Sequence, residues 1–245
     1  MAKKAFDLLL KNFKIFLPII LLNFIVGAII IDSQKEVIIA YGGIMIVATW
    51  LIALFLDRHI IAGKKVKFRD GLYNAMAPLF STLILLMVAT IQCVPIFFLI
   101  VAYTSAVETD FLLTMGYAIM FILFALLMIF ITSYLLSSTL IALIIVSTPG
   151  MYPFEALRLA EDLVKGKRLK VTLANLRLMV GVGAFFGVGV GAITLVELGL
   201  KNFDFMKGIS LVPGAALILG CFAIIYIATY LYFSYKQMIA KVKKK

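Results

Sequence analysis

Six apolar runs divide this chain, at residues 15–31, 37–56, 78–102, 112–147, 171–196 and 209–235. As helix, each is long enough to cross about 30 Å of hydrocarbon, which takes roughly 20 residues. Of its 245 residues 64% are hydrophobic, whereas soluble domains average about 45–50% apolar. The bilayer is therefore the expected solvent for most of the chain. With no water to satisfy backbone N–H and C=O groups there, the runs are expected to be helices. No polar stretch is long enough for a soluble domain, so one polytopic membrane domain over 1–245 is expected. The basic, amphipathic start lacks a small-residue cleavage site after its apolar part and reads as an uncleaved helix.

The fourth run is the odd one. At 36 residues it would reach about 54 Å as a straight helix, well beyond the hydrocarbon core. It is expected to tilt, to project, or to bend near 132–139, where Ser and Thr side chains can bond back to the preceding turn. Splitting it in two would give seven crossings and place the termini on opposite sides.

The placement of charge chooses between these options. The formal net charge is +11, and in a chain this apolar it signals topology and lipid contact, with no nucleic-acid partner. With six crossings and the N-terminus inside, 20 of the 23 Lys and Arg residues fall on the cytoplasmic side, leaving Lys35, Lys201 and Lys207 outside. The 12 acids divide evenly, as they should if only Lys and Arg carry the orientation signal. The expectation is a multi-pass protein of the cytoplasmic membrane with six transmembrane helices and both termini cytoplasmic.

The cytoplasmic segments are patterned. Phe6, Leu9, Leu10, Phe13, Phe16 and Leu17 recur at helical spacing, with Lys3, Lys4, Asp7, Lys11 and Lys14 opposite. Phe68, Leu72, Met76 and Leu79 repeat the stripe before the third run. Leu157, Ala160, Leu163 and Val164 repeat it before the fifth. Pro153 suits a first helical position, Gly166 a helix end, and Glu155/Arg158, Arg158/Asp162 and Glu161/Lys165 have ion-pair spacing. The fold class is thus an all-α membrane protein, six helices in three hairpin units, each preceded by a short cytoplasmic amphipathic helix.

Three segments carry a resemblance. They are the entry AFDLLLKNFKIFLPIILLNF, the stretch LDRHIIAGKKVKFRDGLYNAMAPLFSTLILL, and the fourth run continuing into STPGMYPFEALRLAEDLVKGKRLKV. Together they resemble the six-helix membrane domain of some glycerophosphoryl diester phosphodiesterases and of related prokaryotic membrane proteins. The most specific piece runs from Glu155-Ala156-Leu157 to Leu163-Val164-Lys165-Gly166-Lys167-Arg168. It departs from that family's pattern at Glu161-Asp162, where Ser-Trp is usual. The resemblance implies a fold and a membrane role without catalytic activity.

The residues supply no catalytic, metal or cofactor constellation, and the chain reads as no enzyme. Its one histidine, His59, is too few for a histidine-rich metal site and lacks the partners of a triad. Asp70-Gly71 begins like the motif of membrane CDP-alcohol phosphotransferases but lacks the following Arg and the paired aspartates. Cys93 and Cys221 sit in apolar runs and read as core residues. Tyr226, Tyr230, Tyr232 and Tyr235 form an aromatic belt at the inner end of the last run.

Gly183, Gly187 and Gly191 share one face of the fifth run, flanked by Gly181 and Gly189. They read as a helix-packing face, the alternative being a hinge or pore lining. Arg177 lies about two turns into the same run. It either snorkels to the headgroups or joins an intramembrane polar site with Asn175, Asn23, Gln92, Ser133 and Ser137. Lys64, Lys65, Lys67, Lys167 and Arg168 are the expected contacts to anionic lipid headgroups, each worth about 1 kcal/mol near such a surface. Two functions follow as expectations. One is a non-enzymatic protein that engages or organises anionic lipid or supports a membrane assembly, with a membrane protein or a second copy as partner. The other is a permease or transporter subunit with a cavity framed by the fourth and fifth runs.

Overall fold

The structure, a computed structural model, describes residues 2–30, 35–108, 115–148, 150–200 and 211–242. Over these it is all α, without strands. The helices are α1 (Ala2–Lys11), α2 (Phe13–Ile30), α3 (Lys35–Ile61), α4 (Phe68–Ala75), α5 (Leu79–Gln92), α6 (Val94–Glu108), α7 (Met115–Val146), α8 (Pro153–Val164), α9 (Arg168–Leu200) and α10 (Val212–Val242). Residues 31, 112–114, 209 and 210 of the expected spans lie outside the described residues, as do Lys201, Lys207, Lys243, Lys244 and Lys245 of the charge count.

Among the described residues, five helices are long and apolar enough to cross a bilayer: Phe13–Ile30, Ala40–Ile61, Gly116–Val146, Arg168–Leu200 and Val212–Ala240. A sixth is available if α4 and α5, bent by 68° at their junction, count as one span. The expected third span, 78–102, is instead two helices, α5 of 14 residues and α6 of 15, meeting at Cys93. Pro95 explains the break. It has no N–H to give the carbonyl of Ile91, and its ring clashes with that carbonyl. The chain steps across through Cys93, whose N–H reaches the carbonyl of Ala89 at 3.0 Å and whose own carbonyl accepts from Ile96 at 2.9 Å.

The long fourth span does not split. α7 runs unbroken for 32 residues, about 48 Å at 1.5 Å per residue, so the seven-crossing alternative has no break to use. Its hydroxyls do bond backward, Thr132 to the carbonyl of Met128 at 2.9 Å and Ser137 to that of Tyr134 at 2.7 Å. The helix absorbs both bonds without interruption.

The helices group into two compact units, Met1–Leu79 with Leu178–Lys245, and Phe80–Arg177. The first is built on α2, α3 and α10, whose contact buries Phe16, Ile19, Leu51, Leu54, Ile225 and Leu231. In the second, α8 and α6 pack on α7, and the stretch Ile141–Val146 of α7 is buried throughout.

The three amphipathic helices form where expected, yet they dock by different faces. In α1 the buried residues are Ala5 and Leu9, and in α4 they are Gly71 and Ala75. Of the expected α4 stripe, Leu72 and Met76 are exposed at 42% and 65%. Small residues win the inner face because they let one helix backbone approach another. A Cβ at Gly71 would already sit 3.2 Å from Leu56 and 3.3 Å from Ile52 of α3. α8 buries Pro153, Ala156, Ala160 and Val164, and Gly166 ends it with a positive φ of 73°.

Candidate functional site

Polar groups inside an apolar helix bundle are costly unless they are partnered, so each one in this chain has to be accounted for. In the first unit Asn23 of α2 donates its amide to the hydroxyl of Thr49 of α3 at 2.9 Å. Tyr41 returns a hydrogen bond from α3 to the carbonyl of Asn23, also at 2.9 Å. These bonds tie α2 to α3. They leave Asn23 with a structural task, and the cavity of about 320 Å³ beyond it, lined by Gly27, Tyr41 and Leu217 among others, is almost wholly apolar.

Among the described residues of this unit two carboxylates are buried, Asp57 and Glu197. The expected second run, 37–56, stops one residue short of Asp57. α3 continues to Ile61, and Asp57 has no exposed surface. Thr229 of α10 donates to its Oδ2 at 2.8 Å, while Oδ1 has no hydrogen-bond partner among the described residues. The sequence signal was present but weak: Ala53, Leu56 and Ile60 keep the α3 periodicity going past the charge. His59, one turn from the end of α3, has Nδ1 2.9 Å from the carbonyl of Phe55 and its ring 4.2 Å from that of Phe55. It thus sits in an ordinary local contact.

The second unit holds the other polar cluster. Thr139 of α7 donates to Gln92 at the end of α5 at 2.7 Å, beside the break at Cys93. At the adjoining residues of α7, Arg168 reaches in from the start of α9. Its Nε bonds Ser137 at 3.3 Å, its Nη2 bonds Ser138 at 3.2 Å, and its guanidinium lies 4.9 Å from the ring centre of Tyr134. Arg168 was expected to reach lipid headgroups. The α7 hydroxyls hold two of its donors, because a planar guanidinium can bond two neighbouring oxygens while stacking on an aromatic face.

Arg177, expected either to snorkel or to join those hydroxyls, is exposed. Asn175 is buried, and its amide nitrogen has no partner among the described residues. Ser133 is buried on α7. Within the second unit the structure therefore pairs Gln92 with Thr139 and Ser137 with Arg168.

The glycine face also differs from expectation. A Cβ at Gly183, Gly187 or Gly191 meets nothing within 4 Å, whereas one at Gly189 would lie 2.8 Å from Leu219 of α10. Packing uses the neighbouring face of α9, where Phe185 and Phe222 also meet with ring centres 6.0 Å apart. On the same helix Glu197 is buried and accepts the backbone N–H groups of Leu211 and Val212 at 2.8 and 3.1 Å. A carboxylate there satisfies the first donors of α10 and suits the positive end of its dipole.

The charged surface is carried by Lys64, Lys65, Lys67 and Lys167, all exposed. Asp70 accepts the backbone N–H of Lys67 at 3.2 Å and so caps α4, which assigns Asp70 a structural role. In α1, Phe6 and Leu10 stand one turn apart and exposed at 43% and 56%, beside the buried Ala5–Leu9 face. Lys3, Lys4 and Lys11 are exposed on the same helix. Leu72 of α4 and Met76 just after it stand in the same relation to Gly71 and Ala75. Among the described residues no group of three or more His, Cys, Asp or Glu is placed to hold a metal ion. Compared with family models, with curated proteins and with solved structures, the chain matches none.

Proposed function

We propose that the chain is a non-enzymatic, multi-pass protein of the cytoplasmic membrane, with both termini cytoplasmic, whose basic interfacial helices engage anionic lipid. The observation that carries this reading is the outward apolar flank of α1 and α4. Phe6 and Leu10, like Leu72 and Met76, are large, exposed and set beside lysines, while Ala5 and Leu9 of α1 and Gly71 and Ala75 of α4 take the docking faces. An interfacial helix of this build sinks its apolar side to the acyl boundary and keeps its cations among the headgroups. The asymmetry of 20 Lys and Arg against three supplies the orientation. The resemblance to the six-helix phosphodiesterase membrane domain is part of this reading for its fold and membrane role alone.

Spin labels placed at Leu10 and Leu72 in reconstituted protein test it. Both should be more accessible to dissolved oxygen than to a water-soluble relaxing agent, with the reverse at Lys3 and Lys65. Water-like accessibility at Leu10 and Leu72 would remove the interfacial helices and the proposal with them.

A second reading, a permease or transporter subunit, is favoured by Asp57. A carboxylate at depth with one unbonded oxygen is the kind of group that ion-coupled carriers place on their path. Cation- or proton-dependent solute uptake that is lost in Asp57→Asn, in protein that remains folded, is the result that would establish it.

A further inference from the structure

We propose that the hollow between the end of α8 and the start of α9 binds one zwitterionic phospholipid headgroup, a phosphate joined by a short link to a primary ammonium. The hollow is about 280 Å³ and is lined by Glu161, Asp162, Val164, Lys165 and Arg168. Two acids and two bases make the lining neutral in sum but strongly polar in detail. A plain anion drawn to Lys165 and Arg168 would lie against two carboxylates, and a plain cation would meet the converse. A ligand carrying both charges on adjacent groups satisfies the whole lining.

Three further observations favour this site. Glu161 and Lys165, whose spacing suits an ion pair, form none among the described residues, and neither do Asp162 and Arg168. The four charges therefore remain open to a ligand. Arg168 is held in place by Ser137, Ser138 and Tyr134. Those bonds use two of the five N–H donors of a guanidinium, leaving three for phosphate oxygens at little further ordering cost. The hollow also adjoins the first turn of α9, whose backbone N–H groups favour phosphate.

Position points to a lipid as the source. The span Arg168–Leu200 starts at the hollow, which sets it at headgroup level. Leu169 and Leu173, one turn apart and exposed, continue from it along α9 as a surface for an acyl chain. This site is separate from the lysines proposed to engage anionic lipid, and a headgroup of no net charge gains little from them.

Native mass spectrometry of the full chain, released from bilayers of equal phosphatidylethanolamine, phosphatidylglycerol and phosphatidylcholine, tests the proposal. One phosphatidylethanolamine should be retained about tenfold over either competitor, as for about 1.4 kcal/mol of selectivity. Phosphatidylcholine keeps the phosphate but has no ammonium N–H to donate, and phosphatidylglycerol has no ammonium. The double variant E161Q/D162N, altered only at exposed positions, should lose the preference over phosphatidylglycerol, and K165Q should lower retention of all three. Soluble phosphoethanolamine serves as the second arm. If it displaces the lipid, the headgroup alone suffices; if it does not, the acyl chain contributes, and either result supports the site. Absence of a phosphatidylethanolamine preference, or a preference that E161Q/D162N leaves unchanged, overturns it.

Discussion

Thr229 on α10 donates its hydroxyl to Asp57 on α3 at 2.8 Å, at a point where neither residue has exposed surface. The same hydroxyl lies 2.9 Å from the carbonyl of Ile225, so one proton serves two acceptors. The bond joins α3 to α10, the pairing on which the first unit is built. Replacing Thr229 by Val keeps the shape and leaves a buried carboxyl without this donor. We expect T229V to destabilise the protein by about 1–3 kcal/mol, the range for stranding a buried polar group. The paired change D57N/T229V should be less than additive. Thermal denaturation in detergent measures both, and an unchanged midpoint in T229V would show that the bond contributes nothing.

The glycines of α9 give a contrast between two positions two residues apart. Gly189→Leu forces a side chain toward Leu219, whereas Gly187→Leu enters open space. The first should lower thermal stability, because overpacking typically costs about 1–3 kcal/mol. The second should leave stability near wild type. Equal losses at both positions would mean that the Gly183–Gly187–Gly191 face is also covered in the assembled protein.

Those glycines show what the sequence can and cannot carry. The lengths of the apolar runs identify α2, α3, α7, α9 and α10 closely, because hydrocarbon thickness is a strict ruler. Pro95 lies inside the third run, where unbroken hydropathy conceals the break it makes. Four-residue glycine spacing marks a smooth face but not whether a neighbour lies against it. The amphipathic stripes located α1, α4 and α8 but carry no sign of which residues dock: in α4 these are Gly71 and Ala75, which hydropathy weights below Leu72 and Met76. Asp57 is hidden in the sequence for a related reason: a single charge ends a hydropathy window even where the helix and its burial continue. Arg168 and Ser137 are 31 residues apart, and no local pattern could have joined them.

Orientation is tested by cysteine labelling in intact cells, after replacing Cys93 and Cys221. Single cysteines at Lys64 and Lys167 should be protected from an impermeant reagent, while one at Glu108 should react. Labelling from outside at Lys64 or Lys167 would invert or abolish the topology on which the lipid reading rests.

Engagement of anionic lipid by the basic helices is tested most directly by thermal stability of the purified chain in liposomes. Lysines that only directed insertion have finished their task once the protein is folded. Lysines that hold lipid continue to contribute, at about 1 kcal/mol each close to an anionic surface. Liposomes containing anionic lipid should therefore raise the unfolding midpoint above that in neutral ones. Added salt should erode the difference, because the attraction decays over about 8 Å at physiological ionic strength. Lys64, Lys65, Lys67 and Lys167 changed together to Gln should shrink it, with Arg168 left in place because it anchors α9 to α7. Equal midpoints for the wild type in anionic and neutral liposomes would contradict the account and reduce the basic surface to a signal for orientation.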